Sequence, residues 1–511
     1  MPLDMKYFIH SGKDGILDMR DDDVRALVAD LRNTAKVVVH LHGGLINKST
    51  ALDKAERLTP VYQAAGVRPV FIIWESGFFE TIINNLHEID KEKIFMFIVK
   101  RVLKYAVGKL TNVNGSKASG QLSLPKEIEV NSEFNRRHKP VPEIPYAGFQ
   151  PLALDEITEA ERKRFEDSLA TDTEFQNEVQ AIVDSASPEH IEPTSKGIVA
   201  SRRKSTHTLL SPEIVDELVA DSAEKEGKGI FSSATLIIKA GQILWRVIDR
   251  FRQKRDHGLY TTVVEEVLRE FYIANVGSFV WGAMKKDTQD TFANVGQQPT
   301  RAGWFFVQAL GDLLKDGHRL EVSIVAHSAG AIYASNLLTH LAWARADQNH
   351  PLPDDFRIKN LIFLAPACSC SLFDQALASH RRIPLFDYFR MFALRDELES
   401  GYWEIPGVYP RSLLYFVSGV VEQEHEMGAS DLPLVGMQRY LINTETYRQP
   451  EVERVREFLA LSPNHGREVW SEVDGGNGLS SDAVTHGGFD NTDDRKRTME
   501  SIQHILKSGW Q

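Results

Sequence analysis

The chain has 511 residues, with 59 Lys and Arg against 71 Asp and Glu for a net charge of −12, and 42% apolar residues. That composition supports a large folded core and excludes a disordered or fibrous chain; the acidic balance argues against nucleic acid as a partner, since phosphate backbones need an extended basic surface. Two cysteines, Cys368 and Cys370, are too few for a disulfide framework and lack the companion pair that a zinc site needs, so they read as small buried residues of a protein in a reducing, cytoplasmic compartment.

At about 150 residues per domain the length leaves room for three domains or one enlarged one. Met1 leads into a mixed segment and then Asp21-Asp22-Asp23, without the basic and apolar pattern of a leader. The longest strongly apolar stretches, such as 94–99, fall far short of the ~20 residues that span a bilayer. A β-branched run at 37–41 reads as a strand, followed by a helical period over 49–65 and a second apolar run over 67–74. This β-α-β rhythm, with strands apolar throughout, is what a parallel sheet covered on both faces requires. Between 91 and 299 the strand series stops. That stretch reads as a mostly helical insertion, a lid or cap, with basic amphipathic helices at 91–109 and 235–255 and a less polar helix at 261–281. Its polar middle, about 113–229, is expected to be mobile in part. The rhythm resumes with a helix over 302–315, a strand over 320–326, a helix over 330–344 and strands at 358–365, 389–394 and 413–418, and the chain closes on a helix over 493–507. The expected fold class is α/β: a doubly wound, mainly parallel sheet of at least six strands, with its core drawn from 1–90 and 300–511.

The segment Ala326-His327-Ser328-Ala329-Gly330 falls at the turn between the strand at 320–326 and the helix at 330–344. A nucleophile at such a turn takes a strained backbone conformation, so the residues two before and two after it must be small, as Ala326 and Gly330 are. The helix that follows aims its N-terminal amides and dipole at the serine, which makes the Ala329 N–H a donor to a developing oxyanion. A second donor is expected from His42-Gly43-Gly44, after the strand at 37–41, where glycines let the backbone approach a substrate closely. Gly44 is the first choice, with Gly43 and Leu45 beside it. Among 17 histidines, position favours His486 as the base: it lies in a glycine-flanked loop ahead of the terminal helix, whereas His465 and His425 read as surface residues. Asp396 leaves the strand at 389–394, where a carboxylate can reach the imidazole Nδ1 and hold the tautomer that accepts the serine proton. Glu397 and Glu422 are the alternatives for that acid. His327 beside the nucleophile and Asp490 near His486 read either as groups that support the site from behind or as ordinary packing, with packing preferred.

With Ser328, Asp396 and His486 in that chain order and His42-Gly43-Gly44 upstream, the sequence resembles the α/β-hydrolase superfamily over 1–90 and 300–511. Ala326 stands where that family usually has glycine, which resembles the A-x-S-x-G variant of some bacterial lipases. The insertion precedes the nucleophile strand, whereas caps in the superfamily often follow it. The resemblance implies a carboxylesterase- or lipase-like serine hydrolase that works through a Ser-His-Asp triad and an acyl-enzyme, with no metal or organic cofactor. Its substrate would be a small ester or acyl compound.

An acyltransferase would use the same triad and differ only in the acceptor that removes the acyl group. A different class of function is a hydrolase fold serving as a partner-binding or membrane-recruited module. The helices at 91–109 and 235–255, which carry Lys100, Arg101, Lys104, Arg246, Arg250 and Arg255, have the charge to meet an acidic membrane peripherally, or the apolar face to cover an acyl pocket above Ser328.

Overall fold

The computed structural model describes residues 4–44, 46–74, 86–112, 122–186, 208–223, 233–273, 276–293, 299–346, 351–422, 431–460 and 466–510. Seven strands form one sheet: β1 (Phe8–Ser11), β2 (Lys36–Leu41), β3 (Arg68–Trp74), β4 (Glu321–His327), β5 (Ile358–Leu364), β6 (Phe386–Ala393) and β7 (Glu468–Trp470). All pairings are parallel and the order is β1-β3-β2-β4-β5-β6-β7. The protein is thus α/β, as the alternation of apolar runs and helical periods requires. From β2 the chain moves outward to β3, then crosses back to β4 on the other side of β2 and continues outward from there. The order reverses between β2 and β4, and such a switch point opens a crevice at the carboxyl ends of the strands. Register places Leu41 beside Ala326, and His327 beside Leu364, so the loops after β2, β4 and β5 leave at one level.

Strands β1 and β7 were not expected from the sequence. β1 has only four residues and includes His10 and Ser11, yet three of its four side chains are buried; β7 has three residues. The run at 413–418, expected as a strand, is instead the helix Leu413–Phe416, which passes into a π-helical turn over Val417–Val421. Every residue of both is buried, and a short apolar run buried on all sides carries no period to separate helix from strand. Ser412 decides locally by capping: its Oγ accepts from the Tyr415 amide.

Between β3 and β4 the described residues form helices and no strand. The expected basic helices are Lys93–Thr111 and Ala234–Arg252. Their apolar faces, including Phe95, Val99, Val102 and Leu103 on the first and Ala240, Leu244 and Val247 on the second, are buried as these two helices pack on each other. They therefore pack together within the helical region between β3 and β4. Their cations are taken up within the chain. Lys104 pairs with Glu127 at 3.1 Å, Lys109 with Glu161 at 2.9 Å, Arg246 with Glu266 at 2.7 Å and Arg250 with Glu265 at 2.8 Å; Arg101 meets Asp172, Arg255 meets Asp431, and Lys100 lies over the Phe134 ring. The stretch expected as one helix over 261–281 is broken into Leu259–Val267, a π-helical turn Leu268–Ile273, and Val276–Asp290. The last of these packs on Gly330–Ala346, the helix that follows β4. Of the polar segment 113–229, the described residues include the helices Glu127–Phe134, Glu159–Ala170, Thr173–Ala186 and Pro212–Ala223, while 113–121, 187–207 and 224–229 lie outside the described residues. No described helix is long and apolar enough to cross a membrane.

Candidate active site

β4 ends in a sharp turn. Ser328 has φ +54°, a left-handed conformation that costs a residue with a Cβ about 1 kcal/mol or more, so the surroundings must hold it there. The Ser328 amide donates to the Leu364 carbonyl at 2.8 Å, and its own carbonyl accepts from Ala367 and Ala331, each at 3.0 Å. Those bonds tie the turn to the end of β5 and to the first turn of Gly330–Ala346. The spacing requirement read from the sequence has a structural counterpart at Gly330, where a Cβ would lie 2.4 Å from the Leu41 carbonyl oxygen.

His486 begins a short helical turn, His486–Asp490, and its Nε2 lies 2.9 Å from Ser328 Oγ. Burial, and after it the charges of His327 and Lys54, push the imidazole well below its ordinary pKa, against the opposing pull of Asp490. The ring is therefore neutral near pH 7 and Nε2 is free to accept the serine proton. The proton then resides on Nδ1, and that buried atom has no hydrogen-bond partner among the described residues.

The loop after β2 stands against the serine. A Cβ on Gly43 would lie 3.2 Å from Ser328 Cβ and 3.8 Å from its Oγ; one on Gly44 would lie 2.8 Å from both Ala329 Cβ and Met284 Sδ. Gly44 is thus wedged between the residue after the nucleophile and the helix Val276–Asp290. His42 fixes this loop. Its Nε2 accepts the Trp74 amide at 3.1 Å, which puts the ring proton on Nδ1, and Nδ1 donates to the Gly43 carbonyl at 2.7 Å. In a trans peptide the carbonyl of Gly43 and the N–H of Gly44 point in opposite directions, so the His42 bond also sets where the Gly44 N–H aims. Burial pushes the His42 pKa down to about 3, so its donor and acceptor roles do not change across the neutral range.

Asp396 is brought to a different neighbourhood. It opens the short helix Asp396–Ser400, its amide donates to Gln438 at 3.0 Å, and its carboxylate accepts the Tyr415 hydroxyl at 2.7 Å. Tyr415 belongs to the segment that folds as a helix instead of a strand. Glu397 is exposed, and Glu422 accepts from Trp281 and Lys285. The structure joins Ser328 to His486 and sets Gly43, Gly44 and Ala329 beside them, but it bonds none of the three expected carboxylates to His486. The rival bases His425 and His465, and Leu45 of the glycine loop, lie outside the described residues.

His327 and Asp490, for which the sequence favours ordinary packing over a supporting role, stand against the base. His327 Nδ1 lies 3.2 Å from Asp490 Oδ2, and its Nε2 lies 3.1 Å from the His486 carbonyl oxygen. The signal was there in the sequence, as a histidine directly before the nucleophile and an aspartate four residues after the base. Cys368 and Cys370 are buried as expected, and burial pushes the Cys368 thiol up to about 12, out of reach of thiolate chemistry at neutral pH.

No family model, curated protein or solved structure matches this chain. The chemistry must be argued from the arrangement itself. A serine on a strained turn, a neutral imidazole within hydrogen-bond reach of its hydroxyl, and two main-chain segments converging beside it are the parts of a nucleophile, a general base and an anion-binding pocket. No group of three His, Cys, Asp or Glu able to hold a metal ion occurs among the described residues. A cavity of about 280 Å³ lies between Val276–Asp290, Gly330–Ala346 and the start of Cys370–Arg382; its lining is mixed, with Lys285, Gln289, Asn336, Ser371 and Gln375 beside Ile332 and Leu372. Ile332 is one helical turn beyond Ser328.

Proposed function

We propose that this chain is a serine hydrolase of α/β-hydrolase type that cleaves carboxylic esters through an acyl-enzyme. Ser328 Oγ attacks the ester carbonyl as His486 Nε2 takes its proton, and the N–H groups of Gly44 and Ala329 bind the oxyanion of the tetrahedral intermediate. His486 returns the proton to the leaving alcohol. Water then enters by the same route in reverse and frees the acid. The observation that carries the reading is the 2.9 Å contact from His486 Nε2 to a serine held at positive φ, since strain of this kind persists only where the surrounding structure enforces it. The strand order adds support, because both halves of the site leave the sheet at its switch point.

An acyltransferase is the second reading, favoured by one observation: the cavity beside the nucleophile helix carries donors and acceptors, among them Lys285, Gln289 and Asn336, suited to a hydroxyl- or amine-bearing acceptor. Turnover of p-nitrophenyl butyrate, measured for the wild type and for Ser328→Ala with and without added alcohols, tests both. Hydrolysis lost in the variant supports the first reading, and a shift of product from free acid to the new ester supports the second. Wild-type turnover that survives in Ser328→Ala would sink both.

A further inference from the structure

We propose that His327 and Asp490 form a positioning pair for the base, holding the main chain and ring of His486 against Ser328. The inference rests on the hydrolase reading above, and deepens it. Among the described residues the Nδ1 of His486 has no acceptor, so no second hydrogen bond of the imidazole fixes its orientation there. His327 meets that need in two ways. Its Nε2 donates to the His486 carbonyl at 3.1 Å, and its ring stacks on the His486 ring with centroids 5.5 Å apart and planes 29° from parallel.

His327 is itself anchored. Its Nδ1 faces Asp490 Oδ2 at 3.2 Å, and Asp490, 1% exposed, is gripped from the helix Lys48–Ala64 by Lys54 at 2.6 Å and by Arg57 Nη2 at 3.1 Å. Arg57 also donates to the Asp490 carbonyl. The turn His486–Asp490 is therefore held at its first residue through His327 and at its last through Arg57. Burial alone would push the Asp490 carboxyl up, but the Lys54 charge and the bond from His327 outweigh it and keep the group ionised. Burying a carboxylate with its cations costs as much in desolvation as it returns in attraction, so such a cluster is a poor device for stability and a good one for fixing geometry. The helix Lys48–Ala64 also follows the His42-Gly43-Gly44 loop, so one element braces both the anion-binding loop and the base.

Three substitutions at His327 test the pair. Gln places an amide N–H where Nε2 stood and keeps the donor to the His486 carbonyl. Asn places one where Nδ1 stood and reaches only Asp490. Phe keeps a flat ring and loses both ring nitrogens. With p-nitrophenyl butyrate, His327→Phe and His327→Asn are expected to lose ~10²-fold in kcat with KM changed by less than about threefold, because a misplacement of about 1 Å at the reacting groups costs that much. His327→Gln should stay within about tenfold of wild type, and labelling of Ser328 by a fluorophosphonate should slow in the same rank order.

The pH profile is a second readout. The groups facing His486 and its neighbours are His327, Asp490, Lys54, Arg57, His40 and His42; replacing His327 by Gln removes one of the influences that depress His486, so the acidic limb of kcat/KM should move to higher pH. A folded His327→Phe with wild-type kcat would overturn the proposal, and so would Gln and Asn variants that are equally impaired with the acidic limb unmoved. If Phe does not fold, the Gln and Asn comparison decides. A wild-type protein without turnover or labelling would instead overturn the hydrolase reading on which the pair depends.

Discussion

Replacing Gly44 by alanine tests the anion-binding loop at its tightest point. The added methyl carbon would lie 2.8 Å from Met284 Sδ and 2.8 Å from Ala329 Cβ, both inside the closest approach of real carbon contacts. The two clashes differ in kind. Met284 is a flexible side chain and can swing away at small cost. Ala329 Cβ sits on the first residue after the nucleophile, at a turn whose main chain is bonded to β5, and it cannot move without moving Ser328. Relief must therefore come from the loop, which carries the Gly44 N–H away from the Ala329 N–H and strains the His42 bond to Gly43. Loss of one oxyanion donor costs ~10²–10³ in kcat, and overpacking of this size typically costs ~1–3 kcal/mol in stability. Steady-state kinetics on p-nitrophenyl butyrate with thermal unfolding followed in parallel would read both. The double variant Gly44→Ala/Met284→Ala should regain stability but little of the kcat, because it removes only the flexible partner. Wild-type kcat in Gly44→Ala, or full recovery of kcat in the double variant, would refute the assignment of this loop to the oxyanion.

Asp396→Asn should keep kcat within about threefold of wild type, since its carboxylate holds Tyr415; a loss near the ~10⁴-fold seen when a triad acid is removed would restore it to the triad. His40 and His42 are buried and neutral, with pKa values pushed down to about 3, so between about pH 3 and 6.5 the unfolded chain binds protons that the folded chain does not. Stability is then full above pH 6.5 and should fall with decreasing pH by up to ~1.4 kcal/mol per unit for each histidine, while replacing either by an uncharged residue that folds should flatten the slope seen in denaturant titrations. Reversing Lys100, Arg101 and Lys104 to glutamate should lower the melting temperature through lost pairing with Asp172 and Glu127 and leave anionic vesicle binding unchanged at a negligible level. Wild-type vesicle association that the triple variant abolishes would return those residues to a membrane role.

What the sequence made legible follows the physics of each element. The core strands β2 to β6 each carry an apolar run because both faces of a parallel sheet are covered, and such runs stand out. Ser328, Gly43, Gly44 and Ala329 could be placed because strained turns and close backbone approach restrict side-chain size, a constraint written in single residues. His486 could be placed because a loop histidine flanked by glycines after the last strand has few other uses. The acid could not be placed. Asp396 does follow the strand Phe386–Ala393 as expected, but an acid at a strand end does not announce which side chain it will meet, and here its carboxylate meets the Tyr415 hydroxyl. The pair His327 and Asp490 is 163 residues apart in the chain, and neither neighbour sequence announces that Lys54 and Arg57 will converge on the aspartate. The amphipathic helices were found where their periods put them, but a period tells which face is buried and not what buries it.

The central claim is that Ser328 is an activated nucleophile. Intact-mass analysis after exposure to a fluorophosphonate, followed by peptide mapping, tests it without requiring a known substrate. The account predicts one adduct per chain, on the peptide that carries Ser328, absent from Ser328→Ala and strongly slowed in His486→Ala. A folded wild-type protein that takes up no adduct, or takes one on a different residue, would contradict it.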